Sequence, residues 1–324
     1  MSKSYTGLTT NGVTELTLQE EGGNIGTQTI VWDSTQGTID QVIGAIPDYW
    51  KAGYDTIKQL QIGTSCTSIG SYAFNFCTGF TGPLVIPDSV TSIGSYSFNY
   101  CYDSNNDTGF SGDLVIPDSV TSIGSYSFYY CYKMEGTLTI GNSVTTIGSG
   151  AFAYNSFSGD LVIPNSVTSM GEDAFADNTN AFTGSLTLSQ NPSFTAIPRR
   201  AFINTPFTGT LNIPDNITTI DFQSFGATNF STIVIPDSIT YIGTALSFSS
   251  NTGLTTVYTA CPASSWDSGA INSGVGNAFS GCDNLTNIYV HADQLASYDA
   301  AWRADQSVAA GATVSTWTNY PNIP

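Results

Sequence analysis

Short alternations of apolar and polar residues recur along this chain, and they recur in nearly the same words. The plainest copies are LVIPDSVTSIGSYSFNYC (84–101) and LVIPDSVTSIGSYSFYYC (114–131). Taking the second inward strand residue as a marker gives Ile62, Ile86, Ile116, Ile140, Ile163, Leu188, Ile213, Ile235, Thr259 and Val290. The markers lie about 22 to 25 residues apart, apart from two longer steps that hold insertions at 102–108 and 266–276. Self-similarity at such a period is the signature of a solenoid, whose repeats bury their apolar faces against their neighbours.

Within one unit, Leu-x-Ile alternates in, out, in, which predicts a short strand with one buried face. The proline that follows (Pro87, Pro117, Pro164, Pro214, Pro236) stops the strand because it has no N–H for a ladder. The next residue is Asp or Asn, which suits a turn. Val-Thr-x-Ile-Gly then brings two more apolar side chains inward as a second short strand. The glycines Gly70, Gly94, Gly124, Gly148, Gly171 and Gly243 are expected to release a bend. The phenylalanine after it (Phe74, Phe98, Phe128, Phe152, Phe175, Phe202, Phe225) is the large core filler, and these rings should stack into one apolar column.

An open solenoid end would expose that column, so both ends need caps. Residues 1–59 are expected to form an N-terminal capping module, with strands at 13–18 and 27–32 and a short helix over 38–54. The alternative for this module is an anchor that docks on a larger assembly. Residues 60–290 form the stack. Residues 291–324 carry the C-terminal cap, where Leu295, Tyr298, Ala301 and Trp302 align on one helical face.

Composition narrows the function. A length of 324 residues would ordinarily suggest two domains, but the repeats argue for one elongated body. The net charge of −18 disfavours nucleic acid and anionic bilayers as partners. No apolar run is long enough to span a membrane. The opening MSKSYTGLTTNG has no apolar signal core, which leaves open a trimmed signal, another export route or retention inside the cell. Cys77, Cys101, Cys131 and Cys282 each fall three residues after the repeat phenylalanine and should form an inward ladder of thiols. Neighbouring rungs would permit a disulfide, but three thiols in a row cannot all pair. Cys66 takes the place of a repeat valine.

The motif FTGxLxIPxSVTxIGxxAFxxC, read here as FTGPLVIPDSVTSIGSYSFNYC from Phe80 and FSGDLVIPDSVTSIGSYSFYYC from Phe110, resembles the BspA-like leucine-rich repeat, related to the treponemal type. The resemblance covers roughly residues 60 to 303, including NIYVHADQLASYDAAW near the end, where His291 replaces the usual proline. It implies a right-handed leucine-rich-repeat stack with short parallel strands on the concave face, irregular or short strands on the convex side and a C-terminal capping helix. It also implies secreted or cell-surface proteins that adhere to host proteins or other cells, and it carries no catalytic residues to transfer.

Enzyme chemistry finds little footing. His291 is the single histidine, and no phosphate loop, dinucleotide fingerprint or Cys-x-x-Cys is present. Paired carboxylates for glycan cleavage cannot be nominated. One polar insertion, with Asp103, Asn105 and Asp107 at alternate positions, suggests calcium, although its glycine falls one place late for an EF-hand and its twelfth position is Leu114. No other cofactor is expected.

Two surfaces are better candidates. The outward residues of the first strand form a strip on the concave side: Gln61, Val85, Val115, Thr139, Val162, Thr187, Asn212 and Val234, continuing to Tyr258 and Tyr289. β-branched residues also favour strands for their own sake. The second strip is aromatic: Tyr72, Tyr96 and Tyr126 share one repeat position, Phe76, Tyr100, Tyr130 and Tyr154 another, and Tyr102 and Tyr132 a third. Tyrosine offers large contact area at low entropic cost, though edge packing between rungs would also use it. The expected function is non-enzymatic binding of a protein or glycan at a cell surface. The runner-up is a structural component of a surface layer or phage particle.

Overall fold

Strands of two to five residues, paired mostly in parallel, carry the architecture. The computed structural model describes residues 3–5, 16–20, 28–31, 57–62, 67–179, 181–243, 246–266, 278–298 and 312–317, with the backbone alone before Leu60 and at Gln61. The chain divides into two compact units, residues 1–158 and 159–324.

The first unit begins with Lys3–Tyr5 antiparallel to Leu16–Glu20, which runs antiparallel to Gln28–Val31. Gln28–Val31 then pairs in parallel with Ile57–Gln61. The strand expected at 13–18 is seen at Leu16–Glu20, and the one expected at 27–32 at Gln28–Val31. The helix expected over 38–54 lies outside the described residues. Beyond Ile57 all rung-to-rung pairing is parallel, as in Leu114–Ile116 with Leu138–Ile140. Ser68–Ile69, Ser92–Ile93, Ser122–Ile123 and Thr146–Ile147 form the second row, each in register with the next. The corner between the rows repeats as well: the N–H of Val90 and of Val120 donates to the carbonyl of the proline three residues earlier, at 3.0 Å in both. The second unit has the same two rows, with Thr210–Asn212, Thr232–Ile235, Thr256–Thr259 and Asn287–Val290 paired in sequence. It also has an unexpected last member, Thr313–Thr316, parallel to Asn287–Val290.

The phenylalanine column is present and is one of two. In the first unit Phe74, Phe98, Phe128 and Phe152 stack at 5.1, 5.2 and 5.3 Å between centroids. In the second unit Phe175, Phe202, Phe225, Phe248 and Phe279 do the same. The other column starts from the FTG and FSG segments: Phe80 on Phe110 in the first unit, Phe182, Phe207 and Phe230 in the second. The two meet edge to face, as with Phe98 and Phe110 at 5.9 Å, the geometry that aromatic quadrupoles favour.

The thiols are buried as expected, and none of the five described cysteines is paired. Their role is visible in their hydrogen bonds. Cys101 and Cys131 donate to the carbonyls of Phe74 and Phe98 in the preceding rung, at 3.1 and 2.9 Å. At the same repeat position Asn155 donates to Phe128 O, Thr205 to Phe175 O and Asn251 to Phe225 O. Cys282 donates likewise to Phe248 O. The slot asks for a small buried donor that saves a core carbonyl from being orphaned.

The repeat glycines act differently from expectation. Gly94, Gly124 and Gly148 do not have positive φ; they sit where rungs touch. A Cβ on Gly124 would overlap the backbone nitrogen of Ser95 in the rung before. The reason for glycine here is close approach, not a bend.

One position is imperfectly solved. The residue before the core phenylalanine is alanine in several rungs (Ala73, Ala151, Ala174, Ala201) but serine at 97 and 127. Both hydroxyls are buried without a hydrogen-bond partner. Ser127→Ala is therefore expected to raise stability, by about 1 kcal/mol, because an orphaned buried hydroxyl is removed without changing volume much. Chemical denaturation measures it; a loss of stability would mean that the hydroxyl has a partner in solution.

The exposed corners carry a pH dependence. Asp113 accepts from the N–H and hydroxyl of Thr137, and Asp160 from those of Ser185. These bonds hold both carboxyls below the usual carboxylate range. Their contribution is present above the unfolded value, about 3.9, and is lost as pH falls through the lower folded values. An acid titration should thus show melting temperature falling below about pH 4, with a shallower fall in Asp113→Asn plus Asp160→Asn. Identical acid profiles for the two proteins would refute this.

The C-terminal cap begins as a 3-10 turn at Ala292–Gln294 and continues helically to Tyr298. Tyr298 is fully buried, and its hydroxyl accepts from Trp266 Nε1 at 2.9 Å and donates to the Cys261 carbonyl at 2.8 Å. Leu295 is half-buried; Ala301 and Trp302 lie outside the described residues.

Candidate binding surface

After the repeat glycine the chain turns through six residues that contain two left-handed corners four positions apart. In the first unit these corners are Tyr72 and Phe76, Tyr96 and Tyr100, Tyr126 and Tyr130, then Gly150 and Tyr154, with φ from +54° to +62°. A non-glycine residue there costs roughly 1–2 kcal/mol. The cost is met by rung-to-rung bonds: the N–H groups of Tyr96, Phe98 and Tyr100 donate to the carbonyls of Ser125, Ser127 and Tyr129 at 2.8 to 2.9 Å. The third side of each coil is thus hydrogen-bonded like a strand, although its backbone is not extended.

This geometry throws the corner side chains outward in two columns. Tyr72, Tyr96 and Tyr126 stack at 4.9 and 5.0 Å, with ring planes 2° and 21° apart. Phe76, Tyr100 and Tyr130 stack at 5.1 and 4.7 Å, and Tyr154 follows at 5.8 Å. The first column ends on Gly150, where a Cβ would come within 2.5 Å of the Tyr126 ring. Tyr102 and Tyr132 form a tilted third pair at 5.7 Å. Tyr72 and Phe76 are 43 % and 49 % exposed; the next members are half-buried by their neighbours. Edge packing between rungs and an outward aromatic face therefore coexist.

Sequence reasoning missed the residue between the columns. Tyr129 lies 5.4 Å from Tyr126, 5.5 Å from Tyr100 and 5.2 Å from Tyr154. Burial, reinforced by the adjacent tyrosines, pushes its phenol up to about 12. At the same position the two preceding rungs carry Asn75 and Asn99, joined by a 2.8 Å bond from Asn99 Nδ2 to Asn75 Oδ1. The signal was there in the change from FNYC to FYYC.

The second unit uses the same corners for polar groups. Asp173, Asp177, Arg200 and Asn204 replace the aromatics, again at φ of +54° to +57°. Arg200 lies 3.1 Å from Asp173 and 3.8 Å from Asp177, and Asn204 donates to Asp177. Burial nonetheless raises the Asp173 carboxyl above its ordinary value, against the pull of Arg200.

On the first strand row, Val85, Val115 and Val162 are exposed, as are Thr139 and Thr187, and Asn212 is half-buried. Val234 departs from expectation: it is 1 % exposed. Asn212 and Tyr258, both with longer side chains than valine, flank it in register, and Tyr258 stacks on Tyr289 at 4.9 Å. The Gln61 side chain lies outside the described residues.

The calcium segment is a hairpin, in which Tyr102–Asp103 runs antiparallel to Thr108–Phe110. Asp103 accepts from the Asn105 N–H and from Asn106 Nδ2, and Asp107 pairs with Lys133 Nζ at 2.9 Å. The two carboxylates thus serve the turn and an ion pair, and Asn105 contributes its backbone. Among the described residues, no group of three or more His, Cys, Asp or Glu is placed to hold a metal ion. No helix among them is long and apolar enough to cross a membrane.

Short parallel strands in two rows, one rung per repeat, packed over stacked phenylalanines, define a leucine-rich-repeat solenoid. The chain belongs to the BspA type leucine rich repeat family, whose sequence model matches residues 44–180, 105–221 and 182–300, with six copies. Among solved structures it is similar to a leucine-rich repeat protein from Bacteroides ovatus, with 19% identity, 86% of this chain and 70% of that one covered, and a TM-score of 0.47. A leucine rich cell surface protein from Faecalibacterium prausnitzii also matches at 19% identity, covering 98% of this chain and 96% of that one, with a TM-score of 0.43. A leucine-rich repeat protein from Eubacterium ventriosum matches at 19% identity over 90% of this chain and 79% of that one, with a TM-score of 0.46. No curated protein matches the chain.

Proposed function

We propose that this chain is a non-enzymatic binding protein that recognises a partner at a cell surface, with the aromatic face of the first unit as its principal contact. One observation carries this reading. Tyrosine and phenylalanine occupy left-handed corners, which local propensity would give to glycine or asparagine, and they do so in consecutive rungs, where the second unit places no aromatic residue and mostly polar ones. Rigid, half-exposed phenols in rows supply contact area with little entropy left to lose. The outward Val85 and Val115 row is the secondary candidate. Family membership supports a surface location, and the strong negative charge supports a partner that is neither nucleic acid nor anionic bilayer.

The test is an array of matrix proteins, surface proteins and glycans probed with the full chain and with a Tyr72→Ser, Phe76→Ser, Tyr132→Ser variant. Signal that the variant loses supports the reading. Silence across the whole array, or signal unchanged in the variant, removes it.

A further inference from the structure

The two aromatic columns stand side by side as two outward walls, with one residue position between them. One wall is Tyr72, Tyr96 and Tyr126; the other is Phe76, Tyr100 and Tyr130. The position between them is held by Asn75 and Asn99, and then by Tyr129, whose ring contacts members of both walls. The bond between the two asparagines uses one amide hydrogen of the buried Asn99 and the Asn75 carbonyl oxygen, so the half-buried Asn75 keeps its own amide hydrogens for a ligand. Because the wall rings lie face to face within 5.1 Å, their faces are occupied by each other. A sugar ring needs a free aromatic face to stack on, and inside the columns none is offered. What the walls present are ring edges and phenol oxygens, repeating at the strand spacing of about 4.8 Å.

A chain in the polyproline II conformation rises about 3.1 Å per residue with three residues per turn, so one turn spans about 9.3 Å, close to two rungs. Such a chain has unsatisfied backbone carbonyls, flat proline rings and little conformational entropy to lose, and aromatic-lined grooves with polar hydrogen-bonding groups suit all three. Charge narrows the ligand further. Residues 67 to 132 contain Asp88, Asp103, Asp107, Asp113 and Asp118 and no lysine or arginine, and of these Asp107 is paired with Lys133. A field of that sign steers cationic segments toward the face.

We infer that the surface between the two aromatic columns binds a proline-rich, positively charged protein segment in the polyproline II conformation, with prolines against the aromatic walls, carbonyls served by Asn75 and the tyrosine hydroxyls, and basic residues drawn by the negative charge of this stretch. This rests on the reading of the aromatic face as the binding surface, and it names the partner's chemistry.

The experiment uses the full chain and two labelled synthetic peptides of about twelve residues with the same arginine count, one rich in proline, the other with glycine and serine in place of proline. Fluorescence anisotropy should show saturable binding of the proline peptide, at least tenfold tighter than its glycine–serine counterpart, and weakening as salt rises. Phe76→Ser should weaken the proline peptide at least tenfold, whereas Phe76→Tyr should bind like the parent, with unchanged thermal melting as the control for folding. Tyr72→Ser is the second variant, and supplies the comparison if Phe76→Ser melts early. Equal binding of both peptides would reduce the effect to charge alone and overturn the inference; so would no binding of the proline peptide at millimolar concentration. If array signal depends on the aromatic residues while the proline peptide fails, the surface is right and the ligand chemistry is wrong. If the array is silent, the surface itself is at fault.

Discussion

Phe128→Ala is expected to destabilise the first unit by about 3–5 kcal/mol, the range for emptying a phenylalanine site in a packed core. Phe128 is fully buried and lies between Phe98 at 5.2 Å and Phe152 at 5.3 Å, with ring planes 10° and 4° apart. Neither neighbour can close the gap by moving along the column, because each is held by its own rung's backbone ladder, as with Phe98 N–H donating to Ser127 O. The cavity therefore persists, and its cost adds to the lost transfer energy. Val115→Ala, on the exposed row of the same rung, is the control and should change stability by no more than about 0.5 kcal/mol. Urea unfolding of both variants decides the matter. A loss near 1 kcal/mol at Phe128 would mean that the rungs slide together and that the columns are not the rigid element described.

The second large effect is expected at Tyr298. Removing one oxygen in Tyr298→Phe leaves Trp266 Nε1 without its acceptor and the Cys261 carbonyl without its donor, both in a buried site that also holds Thr259. Leaving buried polar groups unsatisfied costs about 1–3 kcal/mol. Tyr298→Ala empties the site as well and should cost about 3–5 kcal/mol. The burial that makes this network matter also raises the pKa of the Tyr298 phenol far above its ordinary value, so the phenol remains a donor across the accessible pH range. Differential scanning calorimetry at neutral pH and at pH 9 reads both points. Similar melting of Tyr298→Phe and the parent would refute the network's role.

Much of the fold was legible because it is written in alternation and period. Leu114 and Ile116 inward with Val115 outward, Pro117 ending the strand and Phe128 as the core filler were readable without coordinates. The second phenylalanine column was not read as core, because the insertion at 102–108 changes the distance from Phe98 to Phe110 compared with that from Phe74 to Phe80. The aromatic site was half legible. Shared repeat positions placed Tyr72, Tyr96 and Tyr126 together, but the left-handed corners that turn them outward run against propensity and depend on bonds to the next rung. Val234 was misread for a related reason: strand alternation says which face a residue takes, whereas its exposure depends on neighbours of other rungs, here Asn212 and Tyr258. The strand Thr313–Thr316 follows the cap, where no repeat motif announces it.

The interchange of Cys, Asn and Thr at the buried donor slot has a consequence for where this chain can work. Since the Cys101, Cys131 and Cys282 thiols each give one hydrogen to a carbonyl, and Asn155 or Thr205 does the same without sulfur, these rungs draw nothing from oxidation. Burial also pushes the Cys77 thiol far up and the Cys282 thiol up to about 12, so neither forms the thiolate that disulfide exchange requires. For these described thiols, reducing and oxidising surroundings are equivalent.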